Sequence, residues 1–159
     1  MVLGIVSDSH GDIPRLKRFL QDLGAADAIL HAGDYYEDSR KLASMTKTRV
    51  IGVMGNCDCL MTGPLEKIVE VGGKRVLLAH GHQYGVKRDR EALKKRATAL
   101  GVDAVVFGHT HIAETFRVGD VLYVNPGSCH YGRGPHGPSY GTLEISPEGA
   151  MTASIHYLE

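Results

Sequence analysis

Net charge is the first thing this chain lacks. Lys plus Arg and Asp plus Glu number 18 each, so the formal charge at pH 7 is zero. A neutral chain has no bulk electrostatic drive toward nucleic acid or an anionic membrane surface, although a local positive site stays open. Long apolar runs are also missing. The opening "MVLGIV" meets "SDSHGD" at once, too short for the apolar core of a secretory leader or a membrane span. Cysteine is scarce, with three residues, and Cys57 and Cys59 lie one residue apart, too close for an easy disulfide. Reduced thiols and a cytoplasmic location are the expectation. No repeat, linker or low-complexity stretch divides the 159 residues, which predicts a single domain, 1–159, with a real core.

What is present has a clear rhythm. "VLGIV" reads as a buried strand, and "DIPRLKRFLQDLG" as a helix. Asp12 caps that helix, Pro14 sits in its first turn, Ile13, Leu16, Leu20 and Leu23 recur at helical spacing, and Gly24 ends it. "DAILH" is a second strand, "DSRKLASM" a short helix and "TRVIGVM" a third strand. Strand–helix–strand order predicts parallel pairing with right-handed crossovers. The second half begins with a hairpin, "LEKIVEVGGKRVLLAHGH", turning at Gly72-Gly73. A helix over "VKRDREALKKRATALG" follows, with Leu93, Ala97 and Leu100 inward, and then "DAVVFGH", "AETFRVGDVLYVNPGS", "SYGTLEI" and "MTASIHYL" as strands. The fold class expected is α/β: two mixed β-sheets packed face to face with flanking helices. The glycine-rich stretch "GSCHYGRGPHGPSYG" is the one long loop.

Polar metal-ligand residue types stand where the apolar strands run out. Asp8 and His10 follow "LGIV", Asp34 follows "AILHAG", Asn56 follows "VIGVMG", His80 follows "RVLLA", and His109 and His111 follow "AVVFG". The carboxyl ends of parallel strands are where α/β sheets bind ligands. Gly33, Gly55 and Gly108 precede three of these positions and permit close backbone approach. If the chain is extended at "HTH", His109 and His111 aim their rings to the same side. Four imidazoles, two carboxylates and one amide oxygen are too nitrogen-rich for calcium or a magnesium-only site; they suit manganese, iron, cobalt, nickel or zinc. Seven ligands are too many for one ion but fit two if a carboxylate bridges. Two divalent ions, two aspartates and a bridging hydroxide leave the site net positive. It should attract a phosphoester, and the ions would acidify the water that attacks phosphorus.

"DSH", "GD", "GNCD", "HGH" and "GHTH", in this order and spacing, resemble the calcineurin-like metallophosphoesterases, in particular their small single-domain phosphodiesterase branch. "NPGS" and "PSYGTLEI" extend the resemblance over nearly the whole chain. It implies a two-sheet αββα sandwich and a dinuclear, metal-dependent phosphoesterase acting on small phosphodiesters or phosphomonoesters. By position, Asp8, His10 and His111 would hold one metal, Asp34 would bridge, and Asn56, His80 and His109 would complete the second. Manganese or nickel is the first expectation for assays, with iron and zinc next. In one respect the chain departs from the family: many members carry histidine after the asparagine, and here Cys57 stands there. A thiol is a poor substitute for an imidazolium acid, which implies slower chemistry or good leaving groups.

Other residues read more plainly. Asn56, His82 and Arg133 are candidate contacts to substrate phosphate, His82 alternatively supporting His80. His31 and His156 read as structural, His130 and His136 as loop residues, and Ser128 as shaping its loop. The basic run in "VKRDREALKKR" reads as a solvated helix face, with nucleic acid not expected as a partner. Self-association into a homo-oligomer is left open. "HGHQ", "GHTH" and "NPGS" also resemble the retromer scaffold subunit, which implies protein partners and a weakly occupied metal site, and a slow nucleotide-binding sensor is a third reading. All seven ligand positions are filled, which favours the enzyme.

Overall fold

Strand β1 (Val2–Val6) shows how the chain is organised. In the computed structural model, which describes residues 1–158, Leu3 and Ile5 face an opposing sheet while Val6 lies under a helix. A strand covered on both faces has no reason to alternate polar and apolar residues, and β1 does not. Helix α1 (Ile13–Leu23) starts as expected: Asp12 caps it by accepting the Arg15 backbone N–H at 3.1 Å, and it buries Leu16 and Phe19. Then come β2 (Ala28–His31), α2 (Tyr36–Met45) and β3 (Arg49–Gly52). α2 begins two residues before the predicted start, because the Tyr36 backbone N–H is taken up by Asp58 Oδ1 at 2.9 Å.

The second half supplies β4 (Glu66–Val71) and β5 (Lys74–Ala79), paired antiparallel about Gly72-Gly73, both glycines having positive φ. The helix expected over 86–101 is shorter. A 3-10 turn at His82–Tyr84 comes first, and α3 is confined to Glu91–Leu100. Val86 is wholly buried in the core and the Arg90 guanidinium bonds the Val86 carbonyl, so the intervening chain is committed to packing rather than to a helical turn. β6 (Ala104–Val106), β7 (Ala113–Val118), β8 (Val121–Pro126), β9 (Ser139–Ile145) and β10 (Met151–Tyr157) complete the chain.

Two five-stranded mixed sheets result, in the orders β10-β9-β1-β2-β3 and β4-β5-β6-β8-β7. Leu3, Ile5, Leu30, Val76, Leu78, Val106 and Val124 fill the space between them. α1 and α2 cover Val6 and Ile29 on the outside of the first sheet; α3 covers Leu77, Val105 and Phe107 on the outside of the second. The parallel strands β1, β2 and β3 of one sheet, and β5 and β6 of the other, carry the loops in which all seven candidate ligands stand. Among the described residues no helix is long and apolar enough to cross a membrane.

Candidate metal centre

The candidate ligands converge. Asp8 and His80 are fully buried and Asp34 is nearly so. His80 Nε2 lies 3.0 Å from Asn56 Oδ1, 3.2 Å from His109 Nδ1, 3.5 Å from Asp34 Oδ1 and 3.7 Å from Asp8 Oδ1. On the other side, His111 Nε2 is 3.1 Å from Asp8 Oδ1, and His10 Nε2 is 3.9 Å from Asp34 Oδ2. The two oxygens of Asp34 therefore face the two halves of the cluster. The donor atoms of Asp8, His10 and His111, and those of Asp8, Asp34 and His80, fall within 4.8 Å of one another in each group.

Hydrogen bonds behind the ligands decide which ring atoms carry protons. His80 Nδ1 is 2.8 Å from the Ala32 carbonyl and must donate to it, which leaves a lone pair on Nε2. His111 Nδ1 donates in the same way to the Tyr131 carbonyl at 3.1 Å. The lone pair of His80 faces the amide oxygen of Asn56 and the carboxylate oxygen of Asp34, both acceptors, and can accept a hydrogen bond only from His109 Nδ1. His111 Nε2 lies 3.1 Å from Asp8 Oδ1 and in the neutral ring has no proton to give it, so Asp8 Oδ1, like His10 Nε2, is buried without a partner. Acceptors facing acceptors in a buried site repel unless a cation lies between them. Two ligands each about 2.1 Å from one ion stand about 3.0 Å apart in an octahedron and about 3.4 Å in a tetrahedron. The contacts around His80 span that range, so the donor set fits divalent metal.

The surroundings keep these donors ready to bind. Burial raises the Asp8 carboxyl, but the adjacent His111 and His80 rings, whenever they carry a second proton, and the Ser7 hydroxyl outweigh it and hold Asp8 below the usual carboxylate range. Burial depresses His10 despite Asp34 and Asp8, and depresses His109 to about 4 with help from His80 and Lys87. Neutral imidazole is the form that ligates.

Backbone geometry is unusual at the same residues. Among the described residues, the only non-glycine positions with positive φ are Asp8, His10, Asp34, Tyr35, His109 and His111. Left-handed backbone is uncommon for such residues and gathers at functional sites. It also corrects one expectation: the "HTH" segment is not extended, and with φ of 73° and 60° His109 and His111 turn to different partners, His80 and Asp8. The glycines do permit close approach. A Cβ on Gly55 would sit 2.0 Å from Asp34 Oδ1, and one on Gly108 2.1 Å from Ser7 Oγ.

Among the remaining candidates, His82 stands on the 3-10 turn, its ring 5.4 Å from that of His80 and 6.1 Å from that of His109. Its Nδ1 is buried without a partner, and burial followed by His80 lowers its pKa. The Arg133 backbone N–H donates to the His111 carbonyl at 2.8 Å, while the side chain lines a cavity beside the cluster. Cys57 is exposed; its N–H donates to Asp34 Oδ1 at 3.0 Å, and burial together with Asp34 pushes its thiol up to about 11. A larger cavity, about 350 Å³, lies where β3 and β4 meet and contains no candidate ligand.

Several supports went unread in the sequence. The Ser9 hydroxyl donates to Asp38 Oδ2 at 2.6 Å and accepts from His31 Nε2 at 2.8 Å, bracing the Asp8–His10 turn from below. Asp58 accepts the Gly55 N–H at 2.8 Å. Asn125, from "NPGS", holds the Gly108 carbonyl at 3.1 Å and Thr110 Oγ1 at 3.0 Å, and Ser128 donates to the Asp8 carbonyl at 2.8 Å. His130 pairs with Asp12 at 2.8 Å, its ring 6.1 Å from that of His10. The signal for Ser9, Asn125 and Ser128 was their motifs, "DSH" and "NPGS"; Asp38 had none.

A profile of the calcineurin-like phosphoesterase superfamily domain matches residues 1–148. The chain is 33% identical to the probable metallophosphoesterase YsnB of Bacillus subtilis, over 92% of this chain and 85% of that protein. It is 27% identical to the phosphodiesterase YfcE of Escherichia coli, over 91% and 88%. Among solved structures, a predicted phosphoesterase of Streptococcus pneumoniae superposes with a TM-score of 0.81 at 22% identity, covering 99% and 97% of the two chains. Zinc-complexed Vps29 of Entamoeba histolytica superposes at 0.78 and 25% identity, covering 99% of each. A match that runs through both sheets and every ligand-bearing loop makes this chain a member of the calcineurin-like phosphoesterase superfamily, whose metal-dependent hydrolysis accounts for a buried cluster of acceptors facing one another.

Proposed function

We propose that this metal-dependent phosphoesterase is a phosphodiesterase working with two divalent transition-metal ions, manganese or nickel serving best in assays. The observation that carries the proposal is the gathering of Asn56, Asp34 and Asp8 oxygens around His80 Nε2, together with the unpartnered Asp8 Oδ1 and His10 Nε2. When bound, the ions would supply Lewis acidity at phosphorus and lower the pKa of a nearby water. Asp8, His10 and His111 would hold one ion and Asn56, His80 and His109 the other, with Asp34 shared between them. The chain's own residues do the rest. The αL turns at both ends of the cluster keep the ligands from relaxing apart, and the His80–Ala32 and His111–Tyr131 bonds fix the ligating nitrogens. His82 offers a neutral ring for hydrogen bonding to a phosphoryl oxygen. A thiol held near 11 gives the leaving group little acid help at Cys57. The name of the relative YfcE supports diesters as the substrate class. Free thiols at Cys57, Cys59 and Cys129 support a reducing, cytoplasmic location.

The test is hydrolysis of bis-p-nitrophenyl phosphate beside p-nitrophenyl phosphate. The protein is stripped of metal and reconstituted with manganese, nickel, zinc or magnesium. The expected result is metal-dependent diester turnover, reduced roughly 100-fold or more in Asn56→Ala and His109→Ala. Two ions bound per chain without turnover would favour a protein-binding scaffold, the reading that the Vps29 likeness supports. A chain that binds no metal would refute the proposal altogether.

A further inference from the structure

A cavity of about 290 Å³ opens beside the ligand cluster, lined by Val86, Lys87, Arg90, Thr110, Ile112 and Arg133. None of the seven candidate ligands lines it, yet it shares a wall with them. Thr110 separates His109 from His111, and the Arg133 backbone is tied to the His111 carbonyl.

Three cations border the cavity, and they are not equivalent. Arg90 is spoken for: its guanidinium holds the Glu114 carboxylate and the Val86 carbonyl and lies 5.3 Å above the Phe107 ring. Lys87 and Arg133 have no carboxylate partner among the described residues. Two exposed cations without a carboxylate partner thus border the hollow beside Ile112. A volume at the bottom of the usual range for ligand pockets, about 300 Å³ and upward, is ample for one phosphoryl group and the carbons that carry it. An ammonium and a planar guanidinium together answer a doubly charged, tetrahedral oxyanion better than a singly charged carboxylate.

We propose that this cavity holds a second phosphate of the substrate, so that the chain prefers phosphodiesters carrying a further phosphate a few bonds from the cleaved one. The inference rests on the phosphodiesterase reading above for its placement relative to the reacting phosphorus. Lys87 and Arg133 bind the second group and take no part in bond breaking.

Two measurements test it. The first compares thymidine 5′-(p-nitrophenyl phosphate) with the same ester bearing a 3′-phosphate, on the metal-loaded chain. The 3′-phosphate is expected to raise kcat/KM roughly tenfold, chiefly through KM, and the ratio should fall toward one in Lys87→Met and in Arg133→Met. A ratio near one in the unmodified chain, or one that survives both substitutions, overturns the proposal. The second titrates inorganic phosphate into the full chain held free of divalent metal, followed by amide NMR. Saturable shifts at Lys87, Thr110 and Arg133 that vanish in the double variant support the cavity; scattered or absent shifts overturn it. If no ester is hydrolysed with any metal while those shifts persist, the anion cavity stands and the phosphodiesterase reading alone fails.

Discussion

His31 is a fully buried imidazole whose ring is used at both nitrogens. It accepts the Gly33 N–H on Nδ1 at 3.3 Å and donates from Nε2 to the Ser9 hydroxyl, which passes the chain of bonds to Asp38. Burial pulls its pKa from 6.5 down to about 4, against the opposing charge of Asp38. The sign follows directly: below about pH 6.5 the unfolded chain takes up a proton at this residue that the folded chain refuses. Stability from His31 is therefore complete above that pH, declines as pH falls toward 4, and is flat below. The displacement corresponds to roughly 3 kcal/mol over the window. Burial depresses His10, His82 and His109 in the same direction, so their slopes add. Urea unfolding of the metal-free chain from pH 7.5 to 4 should show this decline, and His31→Gln should flatten it; an unchanged slope in the variant would show that His31 is not its source. Cys57 allows a second prediction at this scale. Cys57→His restores an imidazole beside Asp34 and should raise kcat roughly tenfold to a hundredfold on esters with poor leaving groups, and less on p-nitrophenyl esters. Equal gains on both would mean that leaving-group protonation is not what the thiol lacks.

At the level of elements, the site is a set of strand ends that stop abruptly. β1, β2, β3, β5 and β6 each end within a few residues of a ligand, and the turns that follow hold five of the seven ligands at positive φ. Such turns persist only when their surroundings over-determine them. At Gly108 the surroundings are Ser7 and Asp8: an added Cβ would meet Ser7 Oγ at 2.1 Å and Asp8 Oδ2 at 2.8 Å, and that hydroxyl is itself bonded to Asp8 at 2.6 Å. Neither atom can yield without moving a ligand. Gly108→Ala should cost about 1–3 kcal/mol in urea unfolding and also weaken metal binding. Binding measured by metal analysis after gel filtration should fall below that of the parent. A variant with parental stability and parental metal content would show that β6 and β1 are not held as tightly as the distances say.

For the whole molecule, the interior of the sandwich supplies stability and the rim consumes some of it. The three apolar clusters are continuous through the sheets and under the helices, while the rim concentrates buried acceptors and left-handed backbone. A ligand that binds only the folded chain adds stability by mass action, about 2.7 kcal/mol at a hundredfold excess over Kd. For a chain of this size that is roughly 5–10 °C in Tm. Calorimetry in chelator and then in excess manganese should show this rise, with a smaller one in His109→Ala. A Tm indifferent to metal would mean that the folded rim binds no ion.

Much of this protein can be read along the chain because β1, β2, β3, β5 and β6 are short, largely apolar and followed within a few residues by a ligand-type residue. Asp8, Asp34, Asn56, His80 and His109 stand out for that reason, and the two-sheet order follows from the spacing of the elements. Other features needed three dimensions. The helix over 86–90 fails because Val86 finds a core site that the helical pattern could not disclose. The two histidines of "GHTH" part company because of left-handed backbone, a tertiary choice imposed by Asn125 from β8 and by the Asp8 carboxylate, which takes the His109 N–H at 3.1 Å. Asp38 looks like an ordinary helix residue until folding buries it against Ser9, which bridges it to His31. The residue types and their order along the chain determined which atoms could bind metal. Only the tertiary structure decided which of those atoms face one another, since contacts between residues as distant as Asp8 and His109 are set by how two sheets close, not by local preference.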